Sequence, residues 1–382
     1  MTQVYLDHAA TTPLHPAVLE AMLPFLQGKY GNPSSIHAFG REARAAILSA
    51  RDAIARHLGC RPRELIFTSG GTESDNLAII GAIKASAKHR PHVITAQIEH
   101  HAVLATCRHL QENGVDVTYV PVDRTGIINP DDVGQAIRPE TALISIMYVN
   151  NEVGTLQPIA EIGRIARSKQ IPFHVDAVQA LGVIPIDLST LPVDLMSFSA
   201  HKINGPKGVG ALYVGEDTPI SPLLRGGKQE HELRAGTENV AGIAGFAEAV
   251  KICARNLPEK QLLLKELRQS FLEELRHHLQ GSFVVNGHAV ESSAHILNVS
   301  FPGTSAETML MNLDLAGIAA SSGSACTAGS LEPSHVLAAM RLEPELLESA
   351  IRFSFGLGNT KEQILDAAQK TATIANRLRN NR

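Results

Sequence analysis

Short apolar stretches alternate with amphipathic stretches through the first two thirds of the chain. The apolar stretches predict buried strands, because they are short, lack polar alternation and end at turn-forming or polar residues. They cover Leu65–Thr68, His92–Ala96, Val115–Val120, Thr141–Tyr148, Pro172–Asp176, Leu195–Ser199 and Val209–Val214. Between them, Ala102–Leu110 and Ile159–Ser168 have helical periodicity. Strands that alternate with helices in this way predict a mostly parallel α/β sheet.

The last third of the chain has a different pattern. Two long helical stretches, Glu238–Ala254 and Lys260–Leu279, are followed by short predicted strands and helices. The strands are Phe283–Val285, Ile296–Phe301 and Ile351–Phe355, and the helices are Ala306–Asn312 and Lys361–Leu378. We therefore expect a large α/β domain of residues 15–258 and a smaller α+β domain formed by residues 1–14 together with 259–382, which suits a chain of 382 residues.

Composition and charge narrow the class of protein. Hydrophobic residues make up 44% of the chain and charged residues 19%, which is typical of a globular protein with a sizeable core. The net charge of −4 and the absence of a basic run argue against a nucleic-acid partner. No apolar stretch approaches the ~20 residues of a membrane span, and the first residues do not resemble a signal peptide. We expect a cytoplasmic protein.

The four cysteines do not form a C-x-x-C pair. Zinc-ribbon and thioredoxin-type sites are therefore not expected, and in a reducing compartment the cysteines should be thiols. For Cys60, Cys107 and Cys253 we expect ordinary packing. No metal site is predicted, because the adjacent His100 and His101 would face different directions on a helix.

Polar clusters follow four of the predicted strands, and ligands of open α/β sheets bind at the carboxyl ends of strands. The first cluster is Ser69–Glu73, in which Gly71 and Thr72 stand at a predicted helix start and could bind an anion through backbone N–H groups. A plain strand–helix turn is the alternative. The second cluster contains His100, which could stack on a ligand ring or transfer protons. A surface or capping histidine is the alternative.

The third and fourth clusters are His174–Gln179 and Ser199–Lys202. Asp176 ends an apolar strand, where a carboxylate needs a charged or donating partner such as a protonated pyridine nitrogen; an N-cap is the alternative. Lys202 could lose its proton when desolvated and form a Schiff base with a carbonyl cofactor, although most lysines are simply solvated. Together the four clusters match the needs of pyridoxal 5′-phosphate, whose ring acts as an electron sink when its nitrogen is protonated.

Two further features lie in the predicted smaller domain. Residues 321–330 are small or polar around Cys326, so we expect a mobile loop that exposes a nucleophilic thiol. Arg352 stands between apolar neighbours in a predicted strand, a placement that suits a bidentate grip on a substrate carboxylate. A structural salt bridge is the alternative for Arg352.

Nine motifs in this order resemble one family from end to end of the chain. They read YLDHAATTP, GNPSS, FTSGGTESDN, VNNEVGTLQPI, HVDAVQA, SFSAHKINGPKG, RAGTEN, SSGSACTAGSLEPSHVL and IRFSFG. The chain resembles the cysteine desulfurases of the NifS/IscS type, within the aminotransferase-like (fold type I) enzymes that use pyridoxal phosphate. The resemblance implies an α/β fold with a large, mostly parallel mixed sheet that binds the cofactor and a smaller α+β domain that carries the cysteine loop.

The resemblance also implies a role for each matching residue. Lys202 would hold the cofactor as a Schiff base and remove the α-proton of the substrate, His100 would stack on the ring and transfer protons, and Cys326 would accept sulfur. The cofactor phosphate would be held by Gly71, Thr72, Ser199 and His201, and Thr237 would contact the phosphate of a neighbouring subunit. Asp176 would contact the ring nitrogen and Gln179 the phenolic oxygen. The substrate carboxylate would be bound by Asn151 and Arg352.

The activity implied by the resemblance is conversion of L-cysteine to L-alanine, with a persulfide left on Cys326. The sulfur would pass to an acceptor or scaffold protein for iron–sulfur cluster assembly or other sulfur transfer, and Thr237 implies a homodimer. A pyridoxal-phosphate lyase or transaminase of the same fold, for example one acting on selenocysteine, is the main alternative, and a non-catalytic scaffold is another. Nitrogenase clusters, general clusters and tRNA thiolation all remain open as destinations of the sulfur.

Overall fold

The computed structural model describes residues 3–323 and 334–380, so that Cys326 and its immediate neighbours lie outside the described part. The strands in chain order are β1 (Val4–Tyr5), β2 (Leu65–Thr68), β3 (His92–Ala96), β4 (Asp116–Val120), β5 (Thr141–Met147), β6 (Phe173–Asp176), β7 (Leu195–Ser199), β8 (Gly210–Val214), β9 (Val284–Asn286), β10 (Ile296–Ser300), β11 (Ile318–Ala319) and β12 (Ala350–Ser354). The α-helices are α1 (Pro16–Gln27), α2 (Ala38–Leu58), α3 (Gly71–Ala85), α4 (His101–Glu112), α5 (Pro130–Ala136), α6 (Ile159–Ser168), α7 (Val240–Leu279), α8 (Ala306–Leu315), α9 (His335–Ala339), α10 (Pro344–Glu348) and α11 (Lys361–Asn380).

Seven strands form the large sheet in the order β2-β8-β7-β6-β5-β3-β4. Only β8 runs antiparallel to its neighbours, so the prediction of a large, mostly parallel mixed sheet is confirmed. All residues of β5 are buried, as its continuous apolar pattern indicated. Because β2, β3, β5, β6 and β7 point in the same direction, the loops that follow them emerge at one edge of the sheet.

A smaller antiparallel sheet in the order β12-β10-β9 lies in the last third of the chain, and β1 pairs in parallel with β11. Its apolar residues, among them Leu297 and Phe353, share a buried cluster with Phe271 of α7 and Ile364 of α11. Among the helices that the structure describes, none is long and apolar enough to cross a membrane. The domain boundary near residue 258 stays a prediction.

The two helices predicted at Glu238–Ala254 and Lys260–Leu279 are one, so the prediction of a break between them was wrong. Helix α7 continues through Pro258, although proline lacks an N–H and normally breaks a helix. Pro258 is exposed and Ala254, whose carbonyl loses its partner, is only partly buried, so water can satisfy that carbonyl. Both halves of the helix are packed: Phe246 lies in the core of the large sheet and Phe271 in the core of the small sheet. This packing stabilises the continuous helix.

A buried ion pair holds the segment after β8 against β2. Nη2 of Arg51, in α2, lies 2.6 Å from Oε1 of Glu230, and the two side chains are 8% and 3% exposed. Glu230 also accepts a hydrogen bond from the N–H of Phe67 at 2.8 Å. This contact fixes β2 directly before the polar cluster at its carboxyl end.

Replacing Glu230 with alanine is expected to lower the free energy of unfolding by about 3–5 kcal/mol, because Arg51 would be left as an uncompensated buried charge. The matched control is Glu266→Ala, since Glu266 pairs with Lys361 at 3.0 Å with side chains 56% and 53% exposed. Exposed pairs contribute at most about 1 kcal/mol. Urea unfolding of the two variants measures the difference, and equal losses would contradict the argument.

Candidate functional site

One cavity of about 210 Å³ lies at the edge of the large sheet where the parallel strands end. Its wall is formed by residues that follow these strands, together with Ala9 and Ala10 near the N-terminus. Ten residues predicted for the site line it: Gly71, Thr72, His100, Asn151, Asp176, Gln179, Ser199, His201, Lys202 and Arg352. The convergence follows from the topology, because neighbouring parallel strands bring residues far apart in sequence to one edge.

Two predicted site residues are not in this cavity. Thr237 is exposed and does not belong to the cavity wall. Cys326 lies outside the described residues. The roles suggested for both stay predictions. Among the residues that the structure describes, no group of three His, Cys, Asp or Glu side chains is placed to hold a metal ion.

Lys202 reaches the cavity from the turn that follows β7. Its Nζ donates hydrogen bonds to the carbonyl oxygens of Ala9 at 2.5 Å and Ala10 at 2.8 Å. The N-terminal segment therefore holds the amine at the cavity wall. The charge of Lys202 also acts on its neighbours: burial first, and then this charge, lowers the pKa of His201 to about 4.

Asp176 ends β6 with its carboxyl group buried beside the cavity. Burial raises the pKa of Asp176 to about 6, and a hydrogen bond from the N–H of Val178 at 2.9 Å together with the charge of Lys202 opposes this shift. The bond to Val178 caps a turn, not the α-helix that the N-cap alternative required. A carboxyl group in this position is stabilised as an anion by a cation placed in the cavity.

Two more buried carboxyl groups, those of Asp75 and Glu99, interact with Asp176. Burial, followed for Asp75 by the charge of Asp176, raises the pKa of both well above the usual range. Nε2 of His174 lies 3.6 Å from Oδ1 of Asp75, but burial lowers the pKa of His174 to about 3. With His174 neutral, the carboxyl groups of Asp75 and Glu99 are favoured in their protonated form, and a cationic ligand group would stabilise the carboxylate of Asp176.

His100 lines the cavity and also caps α4. Its Nδ1 accepts the N–H of Ala102 at 3.1 Å, so the neutral ring carries its hydrogen on Nε2. Burial, and then the charge of Lys202, lowers the pKa of His100 to about 4. The ring is therefore neutral near pH 7. His100 both caps α4 and lines the cavity, so the capping alternative does not exclude a role in the site.

The other end of the cavity is suited to an anion. Gly71 and Thr72 begin α3, where the first N–H groups of a helix have no intrahelical acceptor. Gly70, just before them, has a φ of 152°, and a Cβ on Gly71 would lie 2.6 Å from Cγ2 of Val178. The Oγ of Ser199 is buried in the same region and has no hydrogen-bond partner among the described residues. A phosphate oxygen would satisfy this hydroxyl.

Arg352, in β12 of the small sheet, also lines the cavity. It is 1% exposed, and it donates from Nη1 to the carbonyl oxygen of Asn151 at 2.9 Å and from Nη2 to Oδ1 of Asp7 at 2.8 Å. The structural salt bridge is thus present, while Nε is buried and has no partner within the described part of the chain. The backbone of Ser321 exchanges two hydrogen bonds with Arg352, so the segment that leads to Cys326 starts at this wall.

Sequence reasoning missed several residues that support the site. Asp7 pairs with Arg352, Ala9 accepts from Lys202, and His295 contacts Gln179. Asp7 and Ala9 lie in the motif YLDHAATTP, which could have signalled them. His295 follows a short polar run before β10, and no local pattern connects it with a residue of β6 or its loop.

The arrangement fits pyridoxal phosphate on three independent features. The Ser199 hydroxyl and the start of α3 suit its phosphate, Asp176 suits a protonated ring nitrogen, and the amine of Lys202 suits its aldehyde. These features lie in one cavity, so a single ligand can contact all of them.

Comparison with known proteins identifies the family of the chain. The model of the class-V aminotransferase family matches residues 4–366. The IscS 1 protein of Bacillus subtilis (strain 168) is 52% identical over 99% of this chain and 100% of its own length. The cysteine desulfurase IscS of Dictyoglomus turgidum (strain DSM 6724 / Z-1310) is 49% identical over 99% of this chain and 95% of its own length.

A solved structure of a NifS-like protein superposes with a TM-score of 0.92 at 39% identity, covering 98% of this chain and 99% of the other. The similarity in sequence and in fold therefore extends over nearly the whole chain. The chain belongs to the class-V aminotransferase family, which depends on pyridoxal phosphate, and within it to the cysteine desulfurases of the NifS/IscS type.

Proposed function

We propose that this protein removes sulfur from L-cysteine, giving L-alanine and a persulfide on Cys326, with pyridoxal phosphate bound at Lys202. The names of its relatives support the substrate. The observation that carries the proposal is the single cavity in which Lys202, Asp176 and the unpartnered hydroxyl of Ser199 converge. We place the reaction in the cytoplasm, where thiols stay reduced.

Bound pyridoxal phosphate supplies an aldehyde for an amine and a ring that takes up electrons from the substrate α-carbon. Lys202 would provide the amine for this aldehyde and a base for the α-proton of the substrate. Asp176 would hold the proton of the ring nitrogen. His100 would lie against the ring, with its Nε2–H available to the reacting groups. Gly71, Thr72, Ser199 and His201 would hold the phosphate.

The substrate carboxylate binds beside Arg352. The Asp7 carboxylate already shares the guanidinium charge, and the unpartnered Nε remains for a further acceptor. Asn151, whose carbonyl oxygen accepts from Arg352, forms the same part of the wall. This arrangement orients the amino acid with its α-carbon towards Lys202.

Cys326 then takes the sulfur. Its thiolate attacks the substrate sulfur; the carbon–sulfur bond breaks, a sulfur–sulfur bond forms, and a proton goes to the β-carbon, so L-alanine and a persulfide balance L-cysteine and a thiol. Cys326 is five positions after Ser321, so its Cα can lie at most about 18 Å from that of Ser321. The persulfide passes to a thiol of an acceptor or scaffold protein for iron–sulfur cluster assembly or other sulfur transfer.

The test is to incubate the purified protein with pyridoxal phosphate and L-cysteine and to measure alanine, and sulfide in the presence of a thiol reductant. Equal amounts of alanine and sulfide are expected. Formation of pyruvate and ammonia, as by a lyase, or transfer of the amino group to a keto acid, as by a transaminase, would overturn the proposal. A sample that stays colourless with the cofactor would overturn the cofactor assignment.

We also propose that residues 15–258 form the cofactor-binding domain, that residues 1–14 and 259–382 form the small domain, and that the protein is a homodimer. Exposed apolar side chains are concentrated between Leu14 and Leu48, including a row on one face of α1 formed by Leu19, Leu23 and Leu26. A cavity of about 340 Å³ joins this segment to residues 228–238, so a second copy packed here would lie near Thr237.

The variant Ile36→Asp is expected to turn the dimer into a monomer of 40.9 kDa, because Ile36 is 90% exposed in this apolar region and a charge there would be buried in the interface. Light scattering after gel filtration measures the mass. Val290→Asp is the matched control, since Val290 is 78% exposed outside the segment. A wild-type monomer, or an Ile36→Asp dimer, would contradict this interface.

A further inference from the structure

A buried chain of hydrogen bonds runs from the small sheet to the cavity. Nε2 of His295, just before β10, lies 3.1 Å from Oε1 of Gln179. Nε2 of Gln179 in turn donates to the carbonyl oxygen of Ala9 at 2.8 Å. His295 and Gln179 are both buried, and Gln179 lines the cavity while His295 does not. His295 therefore contacts a residue of the cavity wall without lining the cavity itself.

The contacts determine which nitrogen of His295 carries hydrogen. Burial, and then the charge of Lys260, lowers the pKa of His295 to about 3, so the ring is neutral and has one N–H. Because a carbonyl oxygen only accepts, that hydrogen is on Nε2 and is donated to Gln179. Nδ1 lies 2.6 Å from the Oγ of Ser293 and, with the hydrogen on Nε2, accepts from that hydroxyl.

The same contacts determine the orientation of the Gln179 amide. If the amide were flipped, its oxygen would face the carbonyl oxygen of Ala9, which can only accept, and that contact would be repulsive. The Ala9 carbonyl therefore places Oε1 of Gln179 towards His295, and the Nε2–H of His295 stabilises the same orientation. With one N–H of Gln179 given to Ala9, the second N–H is the polar hydrogen that this side chain can offer to a ligand in the cavity.

We propose that His295 is a positioning residue that holds the Gln179 amide with an N–H, not its carbonyl oxygen, towards the phenolic oxygen of bound pyridoxal phosphate. This inference rests on the proposed function. A donor at the phenolic oxygen withdraws electron density from the oxygen and lowers the proton affinity of the imine nitrogen conjugated with it. A carbonyl oxygen in that position would do the opposite.

The measurement is a pH titration of the visible absorbance of the cofactor-loaded protein without cysteine. His295→Leu should raise the titration midpoint by about one pH unit, the effect of losing one hydrogen bond. His295→Gln should restore the wild-type midpoint, because its amide N–H can occupy nearly the position of Nε2. In turnover, His295→Leu should lower kcat and leave the KM for L-cysteine unchanged.

Two controls separate positioning from general damage. His92 is another buried histidine, bonded to Thr141 and Thr118 at 2.9 and 2.8 Å and remote from the cavity wall, so His92→Leu should titrate like the wild type. In a Gln179→Leu background, His295→Leu should cause no further shift, since the effect passes through the amide. If His295→Leu does not fold, His295→Phe keeps a ring without the donor and is expected to show the same shift.

A wild-type midpoint in a folded His295→Leu or His295→Phe variant would overturn the inference. So would an equal shift in His295→Gln, or a full further shift in the Gln179→Leu background. Failure of the proposed function looks different, since the wild type itself would then show no cofactor band or form no alanine.

Discussion

Replacing Lys202 with alanine is expected to lower kcat for L-cysteine by a factor of about 10⁴ or more, because one side chain is assigned both the amine and the base. The visible band of the cofactor-loaded protein should shift to that of free or non-covalently bound pyridoxal phosphate. Rate and spectrum are measured on the same sample, with alanine as the product.

Lys202 also donates to the carbonyl oxygens of Ala9 and Ala10, so a loss of activity could reflect damage to the N-terminal segment. Lys202→Arg separates the two effects, since it keeps a charged donor while a guanidinium does not form the Schiff base. It should be as inactive as Lys202→Ala. Lys207→Ala, in the same loop and exposed, should keep wild-type activity. Turnover within tenfold of wild type in either Lys202 variant would refute the assignment.

Replacing Cys326 with alanine is expected to lower the rate of alanine formation from L-cysteine by about 10³-fold or more, because the sulfur acceptor is removed. The cofactor band should be unchanged, since no cofactor contact is assigned to Cys326. Mass spectrometry of the wild type after one turnover should find one added sulfur atom on the peptide that contains Cys326.

Cys60→Ala is the matched control. Burial and the charge of Glu64 raise the pKa of Cys60 to about 12, so this thiol is not ionised near pH 7 and is a poor nucleophile. Activity of Cys60→Ala should equal that of the wild type. A Cys326→Ala variant that still forms alanine and sulfide at the wild-type rate would favour a lyase-like reaction without a protein persulfide.

The sequence by itself determined the strands of the large sheet and the residues at its edge. Those strands are short, continuous apolar stretches, and the polar clusters follow them directly, so both signals are local. Apart from the two helices that merge into α7, the predicted elements that the structure contains differ at their ends by at most three residues. Asp176, Ser199 and Lys202 could be expected to meet because parallel strands end at one edge of a sheet.

Local patterns failed where packing outweighed them. Two separate helices were predicted where the structure has α7, yet the helix continues through Pro258 because its two halves are buried in different cores. Helices α1 and α2 were not predicted individually. The position of Cys326 relative to the cavity lies outside the described residues, so the assignment of the sulfur acceptor rests on its motif.

Only the tertiary structure decided the contacts that orient the site. Arg352 pairs with Asp7 across 345 residues, and His295 reaches Gln179 across 116. Such pairs leave no periodic trace, because each partner is placed by a different element. Asp7 lies beside β12, which contains Arg352, whereas Gln179 follows β6 of the large sheet and His295 precedes β10 of the small one. The ionisation of Asp176 and the tautomer of His295 likewise depend on burial and on neighbours distant in sequence.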